Sequence, residues 1–196
     1  DDATLEVFLA VISGVVNAEL TEALLALGAR AAGVRGIDDG MITGPRAPGL
    51  DRVISQPLAD PTVLCSLLDA GYLPVLAPMG LDLDGRICNV NADDAAAAIS
   101  AALGGELVLM TDTDGVRDAD GKRITELTPE GAQRLIEEGV IAGGMVPKVH
   151  SALRAIGPGS HAERAVISEG RSSGALHRAL NEDAGTGVRA GQATRG

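Results

Sequence analysis

Two glycines stand directly before an apolar stretch that contains one of the chain's two lysines, in the run GGMVPK at 143–148. Glycine lets backbone N–H groups approach a phosphate closely, a helix start carries a partial positive charge, and a lysine adds a full one. The run therefore indicates an anion-binding site with Lys148 as its mobile charge. The bare pattern also fits an ordinary loop and helix start with a solvated lysine.

A second polar run, NVNADD at 89–94, places two amides and two carboxylates where a strand meets the start of a helix. In an open α/β sheet this is the usual position for ligand contacts. Helix capping explains Asn91 and one aspartate but leaves Asn89 and the second aspartate without a role. Asp112 and Asp114 follow another strand, where acidic turn residues are common, and are weak signals when taken alone.

The remaining chemistry-bearing residues exclude several classes of function. The three histidines, His150, His161 and His177, lack a partnered serine, cysteine or acidic pattern and are interpreted as non-catalytic. Neither a zinc-ligand spacing nor a Walker-type phosphate loop is present in the sequence. A net charge of -11, with one Tyr and one Phe, argues against a nucleic-acid partner. Small-molecule ligands remain.

Apolar periodicity and capping signals place these runs on alternating helices and strands. The pattern predicts helices at 4–27 (with a break at Gly14), 61–70, 92–103, 128–139, 146–156 and 174–180, and strands at 31–34, 73–77, 107–111 and 165–168. The segment 36–57 is predicted as loop or irregular hairpin, and the tail 189–196 as disordered. Such alternation predicts a mainly parallel sheet covered on both faces.

Composition predicts a soluble globular protein. The 196 residues suit one α/β domain or two small lobes, and 45% of them are hydrophobic against 22% charged. No run of about 18 apolar residues is evident, so no membrane association is expected. Cys65 and Cys88 lie in apolar stretches and are predicted to be reduced core thiols, which favours a cytoplasmic location.

Five stretches of the sequence, in order and at similar spacing, resemble the amino-acid kinase family and within it the acetylglutamate kinases. These stretches are TLEVF at 4–8, AGYLPVLAPMG at 70–80, DGRICNVNADDAAAAIS at 84–100, LMTDTDGV at 109–116, and ITELTPEGAQRLIEEGVIAGGMVPKVHSAL at 124–153. The resemblance extends from about Thr4 to Val188. It implies an α/β fold, a three-layer αβα sandwich with a mainly parallel open sheet.

The resemblance also implies two lobes and a division of roles between them. Residues 1–104 would be the remainder of an amino-terminal lobe for the acylated amino acid, and 105–196 a carboxy-terminal lobe for the nucleotide. Carried over motif by motif, the resemblance implies that Asn89 and Asn91 bind the substrate and that Asp93 organises the catalytic cations. It implies that Lys148 bridges the transferring phosphoryl group. The residues implied to line the nucleotide site are Thr111, Asp112, Gly144 and Met145.

The implied reaction is the ATP- and Mg²⁺-dependent phosphorylation of the γ-carboxylate of N-acetyl-L-glutamate in arginine biosynthesis, carried out by a homodimer that joins through the amino-terminal lobe. A related kinase for an acylated or carrier-linked α-aminoadipate, in lysine biosynthesis, is the closest alternative. A non-catalytic nucleotide-binding remnant of the family is the alternative from another class.

Two departures from the family pattern bear on these expectations. Family members begin with a strand, a lysine and a glycine-rich loop, and this chain starts where the turn after them should end. The 196-residue chain is therefore expected to bind ATP with magnesium but not to catalyse transfer. Val15 stands where the family often has lysine in a GKVN stretch.

Overall fold

The computed structural model describes residues 2–189, and its first element is a long helix that changes type in its middle. Helix α1 spans Asp2–Leu9, a π-helical segment spans Ala10–Val16, and α2 spans Asn17–Ala26. Gly28 follows with a φ of 86°, a conformation that favours glycine and ends the helix. The helix predicted at 4–27 is confirmed, and the π-helical segment contains the predicted break at Gly14.

This first helix corrects one expectation from composition. From Asp2 to Ala26 it is long and apolar enough to cross a membrane, and only 6% of its most apolar 18-residue window is buried. The prediction that no such run exists was therefore wrong. Core helices of soluble proteins and signal sequences pass the same test of length and composition, so the finding by itself assigns no membrane.

The chain divides into two compact units, Asp1–Ile99 and Ser100–Gly196. In the first unit, β1 (Ala31–Arg35) and β5 (Leu73–Ala77) form a parallel pair, and α2 packs on both strands. Asn17 of α2 donates from Nδ2 to the Val75 carbonyl at 2.7 Å. A Cβ on Gly33 of β1 would lie 2.3 Å from the Asn17 side-chain oxygen, so this contact requires glycine.

A second sheet of the first unit is built from short strands in the order β3-β7-β6-β2-β4. Its strands are β2 (Ile42–Thr43), β3 (Val53–Ile54), β4 (Leu58–Ala59), β6 (Met79–Leu81) and β7 (Ile87–Val90). Helix α3 spans Thr62–Asp69 and α4 spans Ala92–Leu103. Both helices were predicted to within one residue at each end. The segment 36–57, predicted as loop or irregular hairpin, contributes β2 and β3.

The second unit contains one sheet in the order β8-β10-β11-β9. Its strands are β8 (Leu107–Thr111), β9 (Glu126–Leu127), β10 (Arg164–Glu169) and β11 (Thr186–Arg189). Its helices are α5 (Pro129–Glu137), α6 (Met145–Ala155) and α7 (Ala175–Asn181), and both α6 and α7 pack on β8 and β10. Arg189 belongs to a strand, contrary to the predicted tail, and the rest of that tail lies outside the described residues.

Among the strand pairs of the described residues, five are parallel and three antiparallel. The predicted αβα fold with mainly parallel strands is thus confirmed. Of the two cysteines, both free, Cys88 is buried as predicted, whereas Cys65 is exposed on α3. The prediction of a core thiol was wrong for Cys65, because α3 buries only Leu64 of its apolar residues.

A nearly buried carboxylate holds the turn between β6 and β7. Asp82, 5% exposed, accepts N–H bonds from Asp84 at 3.0 Å and from Arg86 at 2.8 Å, and Arg46 donates to it at 2.6 Å. The Arg86 N–H is the largest cause that lowers the pKa of Asp82 to about 2, with Arg46 adding to it against the opposing effect of burial. Asp82 thereby fixes the hairpin whose second strand carries Asn89.

We predict that Asp82→Asn lowers the melting temperature by several degrees at neutral pH, because Arg46 loses its buried charged partner and keeps only the exposed Asp84, at 2.8 Å. A lowered folded-state pKa contributes stability above the unfolded value of about 3.8, and this contribution is lost as pH falls toward 2. The wild-type melting temperature should therefore fall more steeply than the variant's across that window, as measured by circular dichroism. Asp84→Asn, whose side chain is 75% exposed, is the control and should change little. Parallel wild-type and Asp82→Asn curves would contradict the assignment.

Candidate active site

The predicted substrate residues of the first unit lie at the junction of β7 and α4. Asn89 is in β7, between buried Cys88 and buried Val90. Asn91 accepts N–H bonds at its side-chain oxygen from Asp93 at 2.9 Å and Asp94 at 3.3 Å. The capping interpretation of Asn91 is therefore confirmed, and a ligand would meet its amide nitrogen rather than its oxygen. Asp93 is half-buried in the first turn of α4.

An open cavity of about 290 Å³ borders the same strand. Ile87, which shares a face of β7 with Asn89 because alternate residues point the same way, is one of its lining residues. The other lining residues are the apolar Leu5 and Leu9 and the charged Asp2, Glu6 and Arg52. Arg52 donates to Asp2 at 2.7 Å, a bond that lowers the pKa of Asp2. The cavity thus joins apolar surface to a guanidinium group that is already paired with the Asp2 carboxylate.

In the second unit, the predicted nucleotide residues Thr111 and Asp112 lie at the carboxyl end of β8. The Thr111 hydroxyl donates to the Asp112 carboxylate at 3.3 Å, and the Thr111 carbonyl accepts the Gly170 N–H at 3.0 Å. Asp112 is exposed, and its carboxylate lies 3.6 Å from the Arg171 guanidinium. The end of β8 therefore contacts the segment that follows β10.

The run GGMVPK forms the start of α6, as predicted. Gly144 is the N-cap, and no acidic residue occurs in the first turn to offset the partial positive charge of the helix end. The N–H groups of Met145 and Val146 donate to Ala142 and Gly143 at 3.3 Å, longer than most N–H···O bonds. Lys148 is half-buried on this first turn. An anion at this helix start would meet a lysine and no carboxylate of the first turn.

The two glycines of this run differ in whether the backbone conformation requires glycine. Gly143 has a φ of 58°, which strains other residues. Gly144 has an ordinary helical φ of -66°, and a Cβ there would meet no atom within 4 Å. Packing in the described residues therefore does not require glycine at 144, and the space beside it is open to a ligand.

One cluster, at the carboxyl end of β10, was missed by sequence reasoning. Glu169 ends β10 and accepts N–H bonds from Arg171 at 2.9 Å and Ser172 at 3.0 Å, the Ser172 hydroxyl, and the Arg178 guanidinium at 2.9 Å. The Ser172 hydroxyl is the largest cause that lowers the pKa of Glu169 to about 2. The sequence signal was EGRSS directly after a strand predicted at 165–168, since acidic, glycine and serine residues favour a turn there.

The structure thus brings the predicted residues together as separate groups in each unit. Asn89, Asn91 and Asp93 share one strand end in the first unit. In the second unit, Thr111 and Asp112 share the end of β8, while Gly144, Met145 and Lys148 share the start of α6. Among residues 2–189 no group of three His, Cys, Asp or Glu side chains could hold a metal ion.

Comparison with known proteins identifies relatives over most of the chain. The family model of the amino acid kinase family matches residues 1–162. The acetylglutamate kinase of Rubrobacter xylanophilus is 45% identical over 181 residues, which cover 92% of this chain and 70% of that protein. The acetylglutamate kinase of Dinoroseobacter shibae is 41% identical over 189 residues, covering 95% of this chain and 65% of that protein. The chain therefore spans about two thirds of these relatives' length.

Solved structures agree with the fold. N-acetylglutamate synthase from Neisseria gonorrhoeae, complexed with coenzyme A and N-acetyl-glutamate, superposes with a TM-score of 0.79 at 25% identity, covering 96% of this chain and 44% of that chain. The smu.665 protein of Streptococcus mutans superposes with a TM-score of 0.75 at 24% identity, covering 92% of this chain and 69% of that chain.

We predict that Gly144→Ala weakens MgATP binding roughly tenfold, because a methyl group would occupy the open space beside the helix start and displace one charge-assisted hydrogen bond. Stability should stay equal or rise by up to about 1 kcal/mol, since the backbone at 144 accepts alanine. Isothermal calorimetry and thermal unfolding measure the two effects.

Gly105→Ala provides the matched control for this experiment. Gly105 lies in the same unit, just before β8, and a Cβ there would also meet no atom within 4 Å. The Gly105→Ala variant should leave MgATP affinity unchanged. Equal affinities of the two variants would contradict an anion site at the start of α6.

Proposed function

Because the chain belongs to the amino acid kinase family, we propose that the protein transfers the terminal phosphate of ATP to the γ-carboxylate of N-acetyl-L-glutamate. The observation that carries this proposal is the 45% identity to an acetylglutamate kinase over 92% of the chain. The residues implied by the resemblance lie at a capped helix start after β7, a strand end at Thr111 and a glycine-led helix start at 144, and these positions support the proposal.

The proposed reaction suits a site without a general base. A γ-carboxylate has a reference pKa of about 4.3 and is already ionised near pH 7, so it can attack the phosphorus without losing a proton. The new O–P bond forms at the carboxylate as the bond to the β-phosphate oxygen of ATP breaks, with ADP as the leaving group. The protein's task is to position two anions and to offset the negative charge of the transferring group.

Each proposed role is the one that the family resemblance implies, and the local structure of the residue is consistent with it. Lys148, on the first turn of α6, supplies the positive charge for the transferring phosphoryl group. Gly144 and Met145 line the phosphate site beside it, and Thr111 with Asp112 lines the nucleotide site at the end of β8. Asn89 and the amide nitrogen of Asn91 bind the acylated amino acid, whose substituent suits the apolar wall formed by Leu5, Leu9 and Ile87.

Magnesium would reach this protein with its nucleotide. Mg²⁺ is usually held by one or two carboxylates together with substrate phosphates, so a preformed set of three protein ligands is not needed. Asp93, half-buried at the start of α4, is the residue we assign to organising the cations. When bound, the ion would neutralise charge on the phosphate oxygens.

We further propose that the protein is cytoplasmic and homodimeric. Both cysteines are free, which fits a reducing compartment. The first helix exposes large apolar residues at four-residue spacing, with Val7 at 65%, Val11 at 44% and Val15 at 49% exposure. Residues at this spacing share a helix face, an exposed apolar face is typical of an interface, and the first helix is our candidate for the dimer contact.

We predict that Lys148→Ala in the full-length protein lowers kcat about a hundredfold or more, because loss of one preorganised charge at a developing anion costs roughly 3 kcal/mol. Lys148→Arg should restore only part of the activity, since a guanidinium cannot take the place of a compact ammonium. ADP release coupled to NADH oxidation, with N-acetyl-L-glutamate as acceptor, measures both effects.

Lys122→Ala is the control for this experiment, because Lys122 is the only other lysine and lies in an exposed turn. It should retain wild-type activity. Lys148→Ala activity within about threefold of wild type would contradict the role of Lys148. A clear kcat/KM preference for N-acetyl-α-aminoadipate would overturn the assignment of N-acetyl-L-glutamate as substrate. The two compounds differ by one methylene, which is worth only about 1–3 kcal/mol in a pocket.

A separate prediction concerns the dimer. Val11→Glu, on the exposed face of the first helix, should convert a dimeric wild type to monomer, because the new charge would be buried in the contact. Leu83→Glu, at an 80% exposed position in the β6–β7 turn, should remain dimeric. Light scattering coupled to size exclusion reports the masses. A monomeric wild type, or a dimer that tolerates Val11→Glu, would refute this interface.

A further inference from the structure

The loop between β10 and α7 lies beside the proposed nucleotide residues. Strands β8 and β10 are parallel, and their register sets Glu169 opposite Thr111. The two strands therefore end side by side, at the edge of the sheet where ligands of open α/β proteins bind. The contact is close, because a Cβ on Gly170 would lie 2.9 Å from the Cβ of Met110.

Glu169 holds this loop in one conformation. Its carboxylate accepts the N–H groups of Arg171 and Ser172, which orients the backbone of the loop directly after the strand. Arg178 of α7 reaches the same carboxylate at 2.9 Å and also donates to the Ser173 carbonyl at 2.8 Å. The Arg178 side chain is therefore used within the loop, and its bonds connect the loop to α7, the helix that follows it.

The other arginine of this region has a different environment. The Arg171 side chain is 76% exposed, and its guanidinium lies 3.6 Å from the Asp112 carboxylate, beyond hydrogen-bonding distance. Its backbone is held by Glu169 while its side chain projects beside the end of β8. Asp112 would repel a polyphosphate, and Arg171 supplies the charge that offsets it.

We propose that Arg171 binds the polyphosphate of the nucleotide, and that Glu169 is the positioning residue that directs it there. The proposal rests on the proposed kinase function and adds a residue that the sequence motifs did not assign. Guanidinium groups are suited to phosphate oxygens because their donors form paired hydrogen bonds in a fixed plane. In a chain with a net charge of -11, a cation at this edge favours the binding of an anionic ligand.

The test compares nucleotides that differ in phosphate number. Calorimetry on the full-length protein should show that Arg171→Ala weakens MgATP binding about tenfold and AMP binding less than about twofold, because a lost charged hydrogen bond acts only where phosphates reach it. Arg171→Lys should recover part of the MgATP affinity. Glu169→Gln should reduce MgATP affinity more than AMP affinity, a selectivity that a merely destabilised loop would not produce.

Arg134→Ala is the matched control, because Arg134 is 70% exposed in the same unit and lies 3.9 Å from Glu138. The Arg134→Ala variant also removes one positive charge and should leave the affinities for MgATP and AMP unchanged. MgATP affinity for Arg171→Ala equal to that for Arg134→Ala, or equal losses for ATP and AMP, would overturn the proposal while leaving the kinase function intact. A wild type that binds no MgATP would instead overturn the kinase function, and this proposal with it.

Discussion

The parallel pairing of β8 with β10 is the constraint on which the second unit's polar groups depend. Because Glu169 lies opposite Thr111, both strands end at one edge of the sheet, and whatever follows either strand lies beside the other. The Gly170 N–H bond to the Thr111 carbonyl continues the ladder one step beyond the strands. A shift of this register would separate Asp112 from Arg171, and each residue would lose the opposite charge that lies beside it.

Charge is the second constraint, because the protein is acidic and the ligands proposed for it are anions. Most arginines with short contacts are committed to structure: Arg46 holds Asp82, and Arg178 holds Glu169. The pKa values of both carboxyl groups are lowered to about 2, chiefly by the Arg86 N–H at Asp82 and by the Ser172 hydroxyl at Glu169, and the arginine side chains add to the effect. The two cations assigned to ligands lie in other surroundings. Lys148 is on a helix start without carboxylates in its first turn, and the Arg171 side chain is mostly exposed.

The sequence predicted the features that depend on local chemistry. Caps and glycine stops located α4, whose bounds 92–103 match the structure, and Thr128 caps α5 by accepting the Gly131 N–H at 3.1 Å. Strands of two residues, such as β2 and β9, were missed because two residues show no periodicity. Glu169 was missed for a different reason: its importance comes from partners two to nine residues away that only the folded loop assembles.

The central claim is that a carboxylate, and not water or a hydroxyl, receives the phosphoryl group. The most direct measurement is hydroxylamine trapping in the full-length protein with MgATP and N-acetyl-L-glutamate, because an acyl phosphate reacts to a stable γ-hydroxamate. We expect hydroxamate to form in a one-to-one ratio with ADP and to fall in parallel with ADP in Lys148→Ala. ADP release without hydroxamate, or release that does not depend on N-acetyl-L-glutamate, would contradict the account.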